Sequence, residues 1–337
     1  MPVLHAAERP QPLVAVIVCT HNRRDLLARC LAALGRQDAP PQRFAVLVVD
    51  NGSTDGTREL VAAAAATAPY ALERIEEPAL GLSLARNAGA RASRAPWLAY
   101  VDDDAMPAAG WMSAILAFIE AHPEPGVFGG PYVPFYLDPP PRWLPGDLGR
   151  FWQGDRVIRL PWRRCTLIGC NFIAHRAVFE AVGGFDPDLG VRGQEVRYGE
   201  ETMFYRRALE LGFPVRYTPA PVVEHLVRPE KYRLAWHAAS LTELGKSLAR
   251  KLGPLRAFPA ALALAVLCPL LTLANFGVFL DVPFKRRVYF ALHPPCYAWG
   301  MLVQCGRFLQ TAATAAVRKA KAAATPAGRD PAGPGPV

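Results

Sequence analysis

Three consecutive carboxylates, Asp102, Asp103 and Asp104, close the apolar run "WLAYV". Adjacent aspartates repel one another, and burying them is costly unless a positive charge compensates. The triplet therefore lies in water as a turn or surrounds a cation. A second acidic pair, Glu200 and Glu201 in "GEET", opens a predicted helix. There the pair either complements the helix dipole or offers a base for proton transfer. Arg86 and Asn87 in "LARNAG" fall near another helix start, where backbone N–H groups and a guanidinium hold phosphate oxygens. His225 in "VVEHLV", taken alone, reads as a structural histidine leaving a strand.

The elements that must carry these groups follow from the apolar spacing. "PLVAVIVCTHN" and "FAVLVVD" are short β-branched runs ending in polar residues, as buried parallel strands do. "RRDLLARCLAALGRQ" places Leu26, Leu27, Cys30, Leu31 and Leu34 at helical spacing, with Gly35 as its stop. Thr57 to Ala66 continues as a helix, and so does "GLSLARNAGARAS", with Ser83 as its predicted cap. "WLAYVD" is a third strand. Such alternation predicts an α/β fold, a Rossmann-like, doubly wound, mostly parallel sheet with right-handed crossovers. Ligands in these sheets bind beyond the carboxyl ends of the strands. Cys19–Asn22, Asp50–Ser53 and Asp102–Asp104 all fall at such ends, which points to one shared crevice.

Further along, Gly129 to Arg164 is dense in Pro, Trp, Tyr and Gly, too irregular for a core element and too aromatic for a disordered linker. A strand and short helix closed by Gly183 and Gly184 come next. A helix stopped by Gly212, a strand, and an amphipathic helix over Arg228–Arg250 complete the pattern. The expected organisation is an N-terminal extension (1–12) and a catalytic domain (13–250) with halves at 13–128 and 129–250. A hydrophobic, basic region (251–310) and a disordered Ala/Pro/Gly-rich tail (311–337) follow.

Net charge is +9, and the stretch from Lys251 onward holds ten Lys and Arg against two Asp, so most of the excess lies there. The near-neutral remainder argues against a nucleic-acid face, whereas a basic, apolar C-terminal part suits a membrane surface. The seven cysteines contain no CxxC pair, which predicts reduced thiols without a zinc site. "MPVLHAAERPQP" has no apolar run of signal-peptide length, so the bulk of the chain is expected in the cytosol.

"VIVCTHNR", "VVDNGSTDGT", "GLSLARNAGA", "YVDDDAMPAAGW", "GCNFIAHR", "GGFDP", "GEETMF" and "VVEHLV", in this order, resemble the family 2 glycosyltransferases of the GT-A fold over roughly Val14 to Arg250. The resemblance implies a metal-dependent, inverting transfer of a sugar from a nucleotide-diphosphate donor. It assigns Asp102 and Asp104 to the family's D-x-D pair, with Mg²⁺ or Mn²⁺ held by Asp102, Asp104 and His225. Asp103, the middle residue, then lies behind the metal's direct ligands or in solvent, and also faces the donor. Donor contacts fall to Thr20, His21, Asn22, Asp50, Asn51, Arg86, Asn87 and Asp102. Many members carry an acid where this chain has Asn51, which leaves uracil, thymine and guanine open as the base. Glu201 takes the place of the family's basic Asp, with Glu200 as the alternative. Trp143, Trp152 and Trp162 line an acceptor cleft or pack an irregular lobe.

Ala257–Leu280 has 24 uncharged residues, long enough to cross a bilayer, with Pro259, Pro269 and Asn275 weakening it as a straight helix. Val288–Cys305 is shorter and contains His293, Pro294 and Pro295. Two crossings would place Lys285–Arg287 outside, against the positive-inside tendency. A monotopic hairpin on the cytosolic face of the membrane is therefore preferred to two spans, with a glycan or lipid-linked molecule as acceptor. The alternatives are a sugar nucleotidyltransferase, which usually opens with a Gly-rich basic loop where this chain has "CTHNRRD", and a non-catalytic nucleotide-sugar-binding membrane protein. No Q-x-x-R-W motif supports a processive synthase.

Overall fold

A computed structural model of the chain describes residues 11–161, 167–192, 195–197, 199–278 and 283–324. It divides into two compact units, Met1–Arg233 and Leu234–Val337.

In the first unit, strand β1 (Val14–Thr20), helix α1 (Arg24–Leu34), β2 (Phe44–Asp50), α2 (Thr57–Thr67), β3 (Ala71–Glu76), α3 (Leu82–Ala92) and β4 (Trp97–Asp102) alternate as the apolar spacing predicts. β5 (Ala105–Pro107), α4 (Trp111–Ala121), β6 (Val127–Gly129), β7 (Tyr132–Phe135), β8 (Ile158–Arg159), β9 (Phe172–His175) and α5 (Arg176–Val182) follow. Then come β10 (Gly190–Arg192), β11 (Glu195–Arg197), α6 (Glu200–Glu210), β12 (Val215–Tyr217) and β13 (Val223–Leu226). The main sheet has the order β3-β2-β1-β4-β9-β6-β12-β8. Its first four strands are parallel, and β9 runs against both β4 and β6. The chain turns back at β1, pairing with β2 on one side and β4 on the other. Crossovers leave in opposite directions from that point, which opens a crevice at the strand ends. Thr20 pairs with Asp50 and Cys19 with Asp102, so the three polar clusters meet there.

Helix α1 buries Leu27, Cys30, Leu31, Ala33 and Leu34 on one face and ends before Gly35, as predicted. Gly183 and Gly184, with φ of 89° and 85°, end α5, and Gly212 with φ of 86° follows α6. Two local expectations are corrected. Ser83 is not a cap: Gly81 stands there, and the Ser83 hydroxyl donates to the Leu189 carbonyl at 2.8 Å. The helix predicted from Arg228 is preceded by a 3-10 turn over Pro229–Tyr232 and starts only at Leu234. β3 and α4 carry no sequence-level expectation. β3 is an edge strand with largely exposed or half-buried side chains, whereas α4 is so apolar that its periodicity is faint.

A smaller sheet decides the site. β13 lies between β5 and β7, antiparallel to the first and parallel to the second. Its register sets His225 opposite Ala105, and the Leu226 N–H donates to the Asp104 carbonyl at 3.0 Å. A histidine over 120 residues downstream is thereby held against the acidic triplet.

The second unit is helical: α7 (Leu234–Leu252), α8 (Pro254–Val278), α9 (Phe284–Ala291) and α10 (His293–Ala324). Ala249, Ala257, Ala261, Met301 and Cys305 form its buried cluster. α7 and α10 approach at Gly245 and Gly300, where an added Cβ would strike the backbone of Tyr297 and Thr242. α8 is continuous through Pro259 and Pro269, and its stretch Pro254–Asn275 is long and apolar enough to cross a membrane. The second apolar segment is not one helix, because α9 ends at Ala291 and α10 begins at His293. α10 runs to Ala324, so the stretch from 311, expected to be disordered, is helical over 311–324.

Candidate active site

The triplet is a junction of ion pairs, not a solvated turn. Asp103 is 3% exposed, accepts from the Thr20 hydroxyl at 2.8 Å, and pairs with Arg23 at 2.9 Å. Burial, reinforced by Asp104, still pushes its carboxyl up to about 6. Asp104 directs one oxygen at His225 Nε2, 3.3 Å away, and the other at Arg228 Nε, 3.0 Å away. Asp102 lies 3.7 Å from the same His225 nitrogen and 3.3 Å from Arg86. His225 and these cations outweigh burial and hold the Asp102 carboxyl well below the usual range. Two carboxylates thus converge on one imidazole nitrogen, and hard oxygens with one nitrogen fit Mg²⁺ or Mn²⁺. Glu224 next to His225 is exposed.

Arg86 departs from its sequence reading. It is 2% exposed and bridges two acids, Asp102 at 3.3 Å and Glu200 at 3.0 Å. Its guanidinium is a structural counter-charge between the triplet and the second acidic pair, not a free phosphate ligand. The Asn87 amide is also engaged: it accepts from the Phe185 N–H and donates to the Phe185 carbonyl, both at 2.8 Å. It pins the "GGFDP" loop instead of facing the crevice.

At the ends of β1 and β2, Asn51 shapes backbone. Its amide donates to the carbonyls of Glu77 and Ala79 at 2.7 Å and accepts from the Gly81 N–H at 2.8 Å. The base-reading role expected of that amide is thus already taken by the loop entering α3. His21 Nδ1 donates to the Asn51 carbonyl at 2.8 Å. Asn22, in the left-handed region at φ 52°, accepts from the Thr54 N–H at 2.8 Å. Asp50 accepts from the Ser53 N–H at 2.9 Å and lies 3.3 Å from Arg74. Thr20, His21, Asn51 and the triplet border a cavity of about 190 Å³, with Arg228 and Val191 on its rim. A larger hollow of about 880 Å³ beside Phe44 and Tyr70 lies at the amino ends of β2 and β3, away from these groups.

Glu200 and Glu201 open α6 behind a left-handed Gly199. Glu200 is buried against Arg86, whereas half-buried Glu201 accepts one N–H, from Gly169 at 3.2 Å. Burial first, and then the neighbouring Glu200, push the Glu201 carboxyl up to about 8. Of the aromatic candidates, Trp143 is half-buried in the irregular lobe. Trp152 is 40% exposed and donates to Asp155 at 3.1 Å. Trp162 lies outside the described residues.

Sequence reasoning missed three groups here: Arg23, Arg228 and Cys170. The two arginines come from ordinary basic runs, "NRRD" and "LVRPEK", whose only signal was proximity to polar strand ends. Cys170 Sγ joins an Asp102 oxygen and a His225 nitrogen in a group whose ligand atoms all lie within 4.8 Å of one another.

A mixed sheet reversing at β1, with carboxylates gathered beyond its parallel strands, defines the GT-A class of fold. The family model described as "Glycosyl transferase family 2" matches residues 15–183, and the chain belongs to that family. The chain is 37% identical over 216 residues to a validoxylamine A glucosyltransferase of Streptomyces hygroscopicus subsp. limoneus, a match covering 56% of this chain and 47% of the relative. It is 28% identical over 241 residues to the succinoglycan biosynthesis protein ExoM of Rhizobium meliloti, covering 70% and 74%. The match thus spans about half the length of the former relative. Among solved structures, the mannosyltransferase PcManGT from Pyrobaculum calidifontis, in complex with GDP-Man and Mn²⁺, superposes with a TM-score of 0.60. It is 22% identical, and the superposition covers 88% of this chain and 87% of that one. That likeness supports the fold.

Proposed function

We propose that this chain transfers a sugar from a nucleotide-diphosphate donor to an acceptor hydroxyl with inversion at the anomeric carbon. The observation that carries the reading is the convergence of Asp102, Asp104 and His225 at the end of β4, with a Glu pair tied to them through Arg86. Asp102, Asp104 and His225 would hold Mg²⁺ or Mn²⁺. That ion, when bound, supplies charge stabilisation for the departing diphosphate. Thr20, His21 and the backbone fixed by Asn51 form the wall against which the nucleotide half would lie. Glu201 accepts the proton of the attacking hydroxyl. As it does, a C–O bond forms to the acceptor and the bond to the diphosphate oxygen breaks. Glu201 is favoured over Glu200 because Arg86 already occupies the latter, and a base is most effective when its proton affinity lies near the working pH.

One relative is named for glucosyl transfer involving validoxylamine A and another for succinoglycan biosynthesis, and the latter name supports a glycan acceptor. We place the second unit at the cytosolic membrane face as a monotopic attachment. Leu255, Leu262, Val266, Leu270 and Leu273 leave α8 with an exposed apolar surface, and the α9–α10 break argues against a second straight span.

The decisive experiment incubates the detergent-solubilised chain with a panel of nucleotide-diphosphate sugars and Mg²⁺ or Mn²⁺. One donor class should raise the melting temperature and release nucleoside diphosphate only with the ion present. Turnover that survives chelation would overturn the reading. For the membrane, a cysteine introduced beside Lys285 should resist labelling from outside the cell.

A further inference from the structure

We propose that the thiol of Cys170 is an additional ligand atom at the cation site, so that the site captures thiophilic divalent ions such as Zn²⁺ and Cd²⁺. The inference rests on reading Asp102 and His225 as cation ligands and adds a donor that this reading does not use.

Three facts carry it. An Asp102 oxygen, the Cys170 sulfur and a His225 nitrogen lie within 4.8 Å of one another. Sulfur and nitrogen ligands on one tetrahedral zinc ion stand about 3.5 Å apart, so modest side-chain movement closes the set. Second, the turn that presents the sulfur is fixed. Cys170 is the middle residue of a 3-10 turn over Gly169–Asn171. The Gly169 N–H donates to Glu201 at 3.2 Å, and any Cβ at Gly169 would strike the Arg86 guanidinium. Asn171 donates to the carbonyls of Pro131 at 2.9 Å and Pro221 at 2.7 Å and accepts from Trp111 Nε1 at 2.9 Å. Third, the thiol is buried and in no disulfide, and the transfer reaction gives it no task.

The donor set changes what the site selects. Carboxylates alone favour Mg²⁺ and Mn²⁺, while an imidazole and a thiolate shift preference toward zinc, which already exceeds manganese in affinity for most nitrogen and sulfur sites. On binding, the Cys170 S–H bond breaks, a metal–sulfur bond forms, and the proton passes to solvent. Zn²⁺ and Cd²⁺ thereby become competitors of the ion that supports transfer.

The test uses the full chain in detergent. Electron paramagnetic resonance of Mn²⁺ first measures whether a divalent ion binds. One equivalent of Zn²⁺ should then displace Mn²⁺, and X-ray absorption at the zinc edge should find one sulfur at about 2.3 Å beside oxygen and nitrogen. In C170S the sulfur should vanish and zinc affinity fall at least about tenfold, while Mn²⁺ affinity stays within about threefold. C170A should lose the same sulfur, which keeps the test valid if serine is not tolerated at 170. A wild-type shell of oxygen and nitrogen only, or a sulfur that survives these substitutions, overturns the proposal while leaving the Mn²⁺ site intact. Failure of the wild-type chain to bind Mn²⁺ would remove the cation reading itself, and this proposal with it.

Discussion

Two acidic clusters about one arginine apart show how neighbours set the behaviour of the same chemical group. The Asp102–Asp104 triplet is ringed by Arg23, Arg86, His225 and Arg228, and its outer member Asp102 is held ionised well below the ordinary range. In the Glu200–Glu201 pair, Arg86 compensates the first acid, and the second is left with burial and a like-charged neighbour. Glu201 is accordingly pushed up to about 8. Asp102 keeps its negative charge, as the proposed cation site requires, although Asp103 beside it is pushed up to about 6; Glu201 takes up a proton more readily, as the proposed base must. Groups whose environments drive their proton affinities apart divide acid–base roles in this way.

That division can be broken by substitution. D104N keeps the shape but removes the charge facing His225 and Arg228, and should lower sugar transfer on the order of 10³-fold, measured with labelled donor. E201Q should cost about 10²- to 10³-fold while leaving the donor-induced thermal shift in place. An equal loss in E200Q with a normal E201Q would reverse the assignment within the pair. R86M strands Glu200 and should cost about 3–5 kcal/mol in urea unfolding, because breaking one partner of a buried ion pair leaves the other uncompensated. The comparison is sharpened by pH. Glu201 must be ionised to act as base, so the transfer rate should climb as pH rises through about 8. A rate that is flat from about pH 6 to about pH 9 would place the base elsewhere. The smallest effect is expected at Asn51, where N51A leaves the loop groups at Glu77, Ala79 and Gly81 without partners and should cost about 1–3 kcal/mol of stability.

The parallel core was legible because its signal is local. Val14–Thr20, Phe44–Asp50 and Trp97–Asp102 are β-branched or aromatic runs closed by polar residues, and burial on both faces demands such runs. Strand–helix alternation then leaves few topologies, and the shared crevice follows from them. Ser83 misled because a hydroxyl near a helix start serves equally well as a cap or as a donor to a distant carbonyl. β3 went unread because a half-exposed edge strand has little hydrophobic contrast.

The sequence by itself determined the alternating fold, the strand-end location of Thr20, Asp50 and Asp102, and the types of group available there. Only the tertiary structure decided which partner each polar side chain takes. Arg86 and Asn87 read as donor ligands yet pair with Glu200 and Phe185, and Cys170 reads only as one of seven reduced thiols yet borders Asp102 and His225. The reason is physical. Hydrophobic periodicity is written over a few neighbouring residues, whereas a buried charge or thiol takes its partner from whatever strand register brings close, here from residues 50 to 120 positions away.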